Sequence, residues 1–317
     1  MPNNIIAIDF GGTNIKIALV EDGVITTSDS IPAYSDKGLA PRLPDTKDAV
    51  YRLLGSRPID TFGSIGIAMP GVVDSVRGKV LALYEKYEDS KSMDLGAWCR
   101  EAFGLPMVLA MDSKAALMGE MHHGCGQGFS DVVLVIFGTG IGTAVALDGK
   151  LLGGANFQAG VVGGHFCVEI NGGRKCTCPN SGCIEANTGG WALPDIVREH
   201  PGYSQSSLAK EPDINYEALF RLSRCGDAVA SEIAKRCIDV WRAAIVSYIH
   251  AYDPALVILS GGVMNSGELF ATVTDGVAER LWDSCGHVEI RRAANPDSSV
   301  ILGLYHLASA QRGNTTT

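Results

Sequence analysis

A short strand, a glycine turn and a second strand occur in the same order twice in this chain, and this repeat restricts the fold more than any other feature. Each copy also ends in an Asp-Gly pair, a strong β-hairpin signal. The first copy comprises Ile5 to Ile8, Gly11-Gly12, Ile15 to Val20 and Asp22-Gly23. The second comprises Val132 to Phe137, a turn from Gly138 to Thr143, Ala144 to Leu147 and Asp148-Gly149. Aligning the Asp-Gly pairs also matches Gly12 with Gly138 and Ala18 with Ala144, which indicates a weak duplication and two similar sheets.

Helical and strand patterns alternate through the rest of the chain. Apolar residues at helical spacing predict helices over residues 46–55, 112–121 and 228–252. Short buried-type runs predict strands over residues 65–68, 107–110 and 256–259. This alternation is typical of the α/β class.

Composition and charge exclude several classes of protein. Of the 317 residues 46% are hydrophobic and 19% charged, which is typical of a globular protein with one large domain or two smaller ones. The formal net charge of −9 argues against a basic surface for nucleic acid or anionic lipid. The start of the chain has no basic signal-peptide region, and no run approaches the roughly 18 apolar residues of a membrane span. We therefore expect a soluble, cytoplasmic protein with no nucleic-acid or membrane partner.

Three glycine turns follow predicted strands: Gly11-Gly12-Thr13, Gly138-Thr139-Gly140 and Gly261-Gly262. Such turns can aim successive main-chain N–H groups at an anion, because no Cβ blocks its approach. None fits the Walker or dinucleotide pattern, and any one of them could be an ordinary tight turn. Asp9 strengthens the first turn, because an acid beside a phosphate favours the Mg²⁺ of a nucleotide. Lys16 either adds a positive charge there or lies on a solvated strand face.

A cysteine-rich loop indicates a metal site. Cys176, Cys178 and Cys183 have the spacing C-x-C-x4-C, and His165 lies eleven residues before the first of them. Zn²⁺ takes four sulfur or imidazole ligands in a tetrahedron, and clustered cysteines in a reducing compartment favour metal over disulfides. The alternative is a set of surface thiols with an unrelated histidine.

Asp112 is a candidate for acid–base chemistry, and Glu185 is an acid that lies just after the cysteine-rich loop. Phosphoryl transfer needs a clamped nucleotide, an aligned acceptor hydroxyl and a carboxylate that takes the proton. Asp112 stands between a predicted strand and a predicted helix, so it is either that base or a helix cap. Glu185 follows the last clustered cysteine by two places, and by itself would read as a surface charge.

Four segments together resemble the motifs of the ROK family (repressors, open reading frames and kinases), within the actin-like ATPase superfamily. They are the first phosphate motif Asp9 to Lys16, the proline-glycine segment Met69 to Asp74, the second phosphate motif Gly138 to Gly142 and the adenosine motif Leu259 to Val263. The resemblance extends from about Ile5 to about Leu307. It implies two actin-like, ribonuclease H-like α/β lobes with ATP in the cleft between them. We expect lobes over residues 1–115 and 116–301, with a C-terminal helix near 302–313 packing back on the first lobe.

The resemblance also implies roles for individual residues. Mg·ATP would be bound by Asp9, Gly11, Gly12, Thr13, Asn14, Lys16, Gly138, Thr139, Gly140, Gly261 and Gly262. The catalytic base would be Asp112, and the sugar would contact Gly71, Asp112, His165 and Glu185. A structural Zn²⁺ would be bound by His165, Cys176, Cys178 and Cys183, stiffening the loop that presents His165 and Glu185.

The chain departs from the family pattern at several positions. Met111 replaces the asparagine that usually precedes the base, and Pro179 replaces a glycine of the cysteine loop. The glutamate of the family's Glu-x-Gly-His motif is missing, and valine (Val161 or Val162) takes its place. Loss of two polar groups that bind ring hydroxyls should weaken binding of glucose-like hexoses. Residues 84–94 are unlike the family's usual sugar-side segment and could form a solvated loop or a lid.

These observations favour an ATP-dependent carbohydrate kinase that phosphorylates a primary hydroxyl, O6, of a hexose or hexose derivative. We expect it to be a homodimer, as family members often are. One alternative is a sugar-responsive transcriptional regulator, although the chain begins at the first phosphate strand and is acidic. Another is a sugar-binding module with weak catalysis, against which the retained Asp112 and nucleotide turns argue.

Overall fold

The structure, a computed structural model, describes residues 3–83 and 85–314, with side chains to residue 311. Its strands in this range are β1 (Ile5–Phe10), β2 (Asn14–Glu21), β3 (Val24–Pro32), β4 (Ser64–Met69), β5 (Gly71–Asp74), β6 (Lys79–Leu83), β7 (Met107–Met111), β8 (Val132–Phe137), β9 (Ile141–Leu147), β10 (Lys150–Leu151), β11 (Leu256–Ser260) and β12 (Glu289–Arg292). Its α-helices are α1 (Leu43–Leu54), α2 (Leu95–Phe103), α3 (Asp112–His123), α4 (Ile184–Thr188), α5 (Leu193–Arg198), α6 (Tyr216–Arg224), α7 (Ala228–Tyr252), α8 (Gly267–Thr274) and α9 (Ser299–Asn314).

The chain divides into two compact units. Unit 1 comprises residues 1–128, 151–159 and 294–317, and unit 2 comprises residues 129–150 and 160–293. The boundary predicted from the sequence, between residues 115 and 116, falls within α3. That division of the chain stays a prediction.

Unit 1 is built on a five-stranded sheet with the order β3-β2-β1-β4-β7. β1, β2 and β3 are antiparallel neighbours, whereas β1, β4 and β7 run parallel. Parallel strands carry their carboxyl ends to the same edge, so the ends of β1 and β7 lie at one edge of the sheet. A separate two-stranded sheet pairs β5 with β6.

Apolar residues cover both faces of the unit 1 sheet. Ile6, Ile8 and Phe10 of β1 belong to one core cluster, and Ile5 and Ala7 belong to another that includes residues of α9. Every residue of β1 except Asp9 is fully buried, as expected for a central strand with helices on both faces. Asp9 is therefore the one residue of β1 that is only partly buried.

Helices α3 and α9 of unit 1 touch backbone to backbone. A Cβ on Gly119 would lie 1.9 Å from the carbonyl oxygen of Ser299, and a Cβ on Gly303 would lie 1.7 Å from that of Ala115. Only glycine permits this approach, so the pair fixes the position of α3, which begins at Asp112.

Unit 2 repeats the sheet of unit 1, with the order β10-β9-β8-β11-β12. β8 is antiparallel to β9 and parallel to β11, as β1 is to β2 and β4. The predicted duplication is confirmed, with one correction. The second turn is shorter than predicted, because Ile141 pairs with Phe137 and β9 begins there rather than at Ala144.

The predicted long helix of unit 2 is confirmed as α7, with the predicted ends. Its buried face includes Trp241, whose ring centroid lies 5.2 Å from that of Phe137 in β8. Among the helices described, none combines the length and the apolar character needed to cross a membrane.

Candidate active site

The first glycine turn joins β1 to β2 in unit 1 and is closed by main-chain hydrogen bonds. Gly11 N donates to Asp9 O at 3.0 Å, and Ala33 N donates to Thr13 O at 2.9 Å. A Cβ on Gly11 would lie 2.7 Å from the carbonyl oxygen of Asn14, so a larger residue would disturb the turn. Thr13 and Asn14 are exposed. The structure thus brings Gly11, Thr13 and Asn14 together as an accessible turn, as expected for an anion site.

Two carboxylates occupy the same sheet edge as this turn. Asp9 lies one residue before the end of β1, and Asp112 directly follows β7. Burial and, to a smaller extent, the negative charge of Asp112 raise the pKa of Asp9 to about 7, against the opposing charge of Lys16. Burial also raises the pKa of Asp112 to about 6, against the hydrogen bond from Ser113 N–H and the charge of Lys86. Interacting acids with raised pKa values are typical of a functional site.

The helix-cap interpretation of Asp112 does not fit its position. Asp112 is the first residue of α3, and Met111 occupies the N-cap position without a side-chain cap. Asp112 Oδ1 accepts a hydrogen bond from Ser113 N at 2.6 Å, which holds the carboxylate at the N-terminus of the helix. Its role as the base stays a prediction.

Lys16 lies opposite Asp9 across the β1–β2 ladder. Its Nζ donates to the carbonyl oxygen of Asp297 at 3.1 Å and lies 3.8 Å from the carboxylate of that residue. Its side chain is 43% exposed. Lys16 therefore lowers the pKa of Asp9 from a partly solvated position.

Sequence reasoning missed a group of residues that packs on the first turn. The buried Tyr87 donates its hydroxyl to Gly11 O at 2.8 Å, and burial and the charge of Asp9 raise its pKa, which keeps it a donor. The carboxylate of Asp89 accepts from the N–H groups of Leu39 and Ala40 at 2.6 and 2.8 Å. Tyr84 lies outside the described residues, but residues 85–94 are not a simple solvated loop. These contacts span many tens of residues, so local sequence carried no signal for them.

Gly71, predicted to contact a sugar, is the first residue of β5. A Cβ at this position would lie 2.3 Å from the carbonyl oxygen of Ala82 in β6. The two-stranded sheet therefore requires glycine here. A contact between Gly71 and a sugar stays a prediction.

The second and third glycine turns both lie in unit 2. Gly138 N donates to Gly140 O, Gly190 N donates to Gly138 O and Trp191 N donates to Thr139 O, each at 3.0 Å. Gly261 has a φ of 94°, and a Cβ there would lie 2.1 Å from the carbonyl oxygen of Phe137. The structure thus brings the two predicted turns together at the ends of β8 and β11.

A cavity of about 590 Å³ opens beside these turns. Its walls combine main chain, aromatic rings and a few polar groups, a composition typical of small-molecule sites. The residues lining it include Gly138, Thr139, Trp191, Tyr216, Phe220 and Gly262. Trp191, Tyr216 and Phe220 were not predicted from the sequence, since no motif contains them.

Glu185 is bound to the second turn and is not a bland surface charge. Its Oε2 accepts from Ile141 N at 2.8 Å, and its Oε1 accepts from Trp191 Nε1 at 3.3 Å. The carboxylate would lie 2.6 Å from a Cβ on Gly140. Glu185 therefore stabilises the turn, and a further contact with a sugar stays a prediction.

The four predicted metal ligands meet in unit 2. The donor atoms of His165, Cys176, Cys178 and Cys183 all lie within 4.8 Å of one another. Cys176 Sγ lies 3.5 Å from His165 Nδ1, and Cys178 Sγ lies 3.5 Å from Cys183 Sγ. Zn–S and Zn–N bonds of about 2.3 and 2.1 Å place tetrahedral ligands roughly 3.5–3.8 Å apart. The residues fit Zn²⁺, although binding of the ion stays a prediction.

The departures from the family pattern also have positions in the structure. Met111 packs against the larger apolar cluster of unit 1. Val161 is buried, and Gly163 N beside it donates to Thr143 Oγ1 at 3.0 Å. Neither Met111 nor Val161 offers a polar group to a ligand.

Comparison with known proteins gives a consistent result. A glucokinase of Thermotoga maritima is 30% identical over 310 residues, which cover 94% of this chain and 95% of the relative. The repressor Mlc of Escherichia coli is 24% identical over 258 residues, covering 81% of this chain and 63% of Mlc. The crystal structure of a ROK family glucokinase from Streptomyces griseus, in complex with glucose and AMPPNP, has a TM-score of 0.77 and 25% identity, covering 96% of this chain and 98% of the other.

These similarities confirm the predicted fold. The α/β structure with two related sheets is that of the actin-like ATPases, to which the solved relatives belong. A sequence model of the ROK family matches residues 5–311. The chain therefore belongs to the ROK family.

Proposed function

We propose that the protein is an ATP-dependent carbohydrate kinase that phosphorylates a hydroxyl group of a hexose or hexose derivative. One observation carries this proposal: the interacting pair of Asp9 and Asp112 beside a glycine turn in unit 1. The similarity to the glucokinases of Thermotoga maritima and Streptomyces griseus, the second in complex with glucose and AMPPNP, supports the same reaction class.

Asp112 is suited to the role of general base. With a pKa of about 6 it is mostly ionised at neutral pH yet still basic enough to accept a proton. The acceptor hydroxyl would lose its proton to Asp112 as its oxygen attacks the terminal phosphorus, and ADP would leave. We propose O6 as the acceptor, because a primary hydroxyl is the least hindered on a hexose ring.

Asp9 is suited to a different role. Burial and the charge of Asp112 raise its pKa, and this environment would favour a cation beside the ionised carboxylate. Mg²⁺, held by Asp9 and the phosphates, would neutralise charge on the nucleotide during transfer. Gly11, Gly12, Thr13 and Asn14 would contact the phosphates, and Lys16 would limit the charge around Asp9.

Unit 2 carries features suited to the rest of the nucleotide. The cavity of about 590 Å³ is large enough for a nucleoside, and its aromatic rings can contact a purine. Gly138, Thr139, Gly140, Gly261 and Gly262 would line the nucleotide. Glu185 and His165 are proposed to contact the sugar, and a Zn²⁺ bound by His165, Cys176, Cys178 and Cys183 would stiffen their loop.

A regulatory role is the second candidate, favoured by the similarity to Mlc. A kinase would phosphorylate its sugar and release ADP, whereas a regulator would bind the sugar without releasing ADP. We further propose that the protein acts in the cytoplasm as a homodimer, without nucleic-acid or membrane partners.

The test is an assay of ADP release over a panel of hexoses, pentoses, ketoses and amino sugars. We expect one sugar to give turnover and Asp112→Asn to reduce kcat by about 10²–10⁴-fold, the usual contribution of a general base. Asp60→Asn, at an exposed position of unit 1, is the matched control. A 6-deoxy form of the active sugar should not react. Sugar binding without turnover across the panel would instead support the regulator.

A further inference from the structure

Lys86 lies directly over the first glycine turn. A Cβ on Gly12 would lie 2.8 Å from Lys86 Nζ and 2.9 Å from its Cε. The lysine therefore fills the space that a side chain at residue 12 would take. Its ammonium lies beside the main chain predicted to bind phosphate.

The backbone around Lys86 is strained and held in place. Glu85 and Tyr87 both adopt left-handed φ values, 57° and 51°, which are costly for residues other than glycine. Tyr87 N donates to Ser35 O at 2.8 Å, and its hydroxyl donates to Gly11 O. Ser35 Oγ in turn donates to Gly12 O at 2.8 Å. These bonds tie the segment that carries Lys86 to the turn itself.

The charge of Lys86 is available to a ligand. It lowers the pKa of Asp112, so the ammonium lies near the proposed base. Within residues 3–83 and 85–311, no protein group makes a hydrogen bond or close ion pair with it. Lys16, by contrast, is engaged with Asp297. A partly buried ammonium near both the turn and the base is suited to a phosphoryl group.

We propose that Lys86 is a catalytic residue whose ammonium contacts the terminal phosphoryl group of the bound nucleoside triphosphate. The inference rests on the proposed kinase function. The bond between the terminal phosphorus and the bridging oxygen breaks, the bond to the sugar oxygen forms, and the hydroxyl proton passes to Asp112. Lys86 keeps its own protons and stabilises the negative charge on the transferred group.

The test compares Lys86→Met with Lys86→Arg and with a control from the same segment, Lys91→Met. Lys91 is paired with Glu88 and is partly exposed. Removing Lys86 should lower kcat by about 10²–10³-fold, the usual effect of losing one charge-stabilising group, with the KM for sugar changed less than threefold. Lys86→Arg should restore part of kcat, and Lys91→Met should match the wild type. The acidic limb of the kcat/KM profile should move to higher pH in Lys86→Met, because Asp112 loses a nearby cation.

Nucleotide affinity gives a readout that does not depend on turnover. In calorimetry, Lys86→Met should lower the affinity for AMPPNP about tenfold. The affinity for ADP should be unchanged, since ADP lacks the terminal phosphate. Equal losses for AMPPNP and ADP, or no loss for either, would overturn the proposal. Failure of every sugar to react in the wild type would refute the kinase function, and the comparison of AMPPNP with ADP would still report on Lys86.

Discussion

Replacing Asp9 by asparagine should make the nucleotide-free protein more stable, and more so at higher pH. Asp9 has an ordinary pKa of 3.8 when unfolded and about 7 when folded. Each pKa unit corresponds to 1.36 kcal/mol, so ionisation of Asp9 costs the folded state about 4 kcal/mol at pH 8 and about 2 kcal/mol at pH 5. A raised folded pKa favours the native state at low pH, and this advantage is lost as the pH rises from about 4 to about 7. The asparagine side chain of the Asp9→Asn variant does not ionise, so the variant avoids this cost at every pH.

The assay is thermal unfolding of wild type and Asp9→Asn in magnesium-free buffer at pH 5 and pH 8. About 1 kcal/mol shifts the unfolding midpoint of a unit of this size by roughly 2–4 °C. The gain in midpoint from Asp9→Asn should therefore be roughly 4–8 °C larger at pH 8 than at pH 5, from a difference of about 2 kcal/mol. Adding Mg²⁺ and nucleotide should reduce the difference in unfolding midpoint between the wild type and Asp9→Asn, since a bound cation stabilises the ionised Asp9. The variant should have lost its kinase activity.

Asp74, a buried acid of unit 1, provides the control with opposite sign. Asp74 accepts hydrogen bonds from Arg77 N at 2.8 Å and Val76 N at 3.0 Å, and these bonds and the Arg77 guanidinium lower its pKa. Asp74→Asn should therefore destabilise the protein at neutral pH, and the loss should shrink in acid. A gain for Asp9→Asn that is equal at pH 5 and pH 8 would refute the reasoning about Asp9.

Two further predictions concern unit 2. Protein purified without chelator should contain about one zinc per chain by elemental analysis, and fully folded protein without metal would contradict this. Cys176→Ser should lower the affinity for zinc by more than the ~100-fold that is lost when a residue contacting a metal ligand is changed. Glu185→Ala leaves the buried N–H of Ile141 without its acceptor, so it should cost about 1–3 kcal/mol in unfolding measurements, whereas Glu185→Gln, which keeps an acceptor oxygen, should cost less.

Regular elements were predictable because their signals are periodic and local. The predicted ends of β8 and α7 agree with the structure. α1 begins at Leu43, three residues before the predicted Thr46, because Pro44 fits the first turn of a helix. The start of β9 was misplaced because Gly142 and Thr143 resemble turn residues, yet they pair with Ile136 and Val135.

Contacts between distant residues were not predictable in the same way. The cluster of the four proposed metal ligands was predictable because three of the four lie in one short loop with a recognisable spacing. The hydroxyl of Tyr87 reaches Gly11 across 76 positions, and Glu185 reaches Ile141 across 44. No hydrophobic period or motif marks either pair. The segment around Lys86 therefore remained without an interpretation until its contacts were known.

The two related sheets differ where chemistry is proposed. Asp9 pairs with Lys16 across the β1–β2 ladder, one step before Phe10 and Ile15 close the first turn. At the corresponding step of the second sheet, before Phe137 and Ile141, Ile136 pairs with Gly142. Four residues separate Phe10 from Ile15, whereas three separate Phe137 from Ile141. The first turn is thus one residue longer and carries an acid and a cation, while the second is shorter and has neither at this step.

This difference explains how one repeated frame can serve two purposes. A charged ladder step beside an accessible turn suits a magnesium-bound phosphate, which needs both a carboxylate and positive charge. An uncharged step beside an aromatic-lined cavity suits the neutral part of a nucleotide. Placing a charge in unit 2 with Ile136→Asp should therefore disturb nucleotide affinity without creating a second metal site, because Gly142 supplies no lysine to compensate the acid.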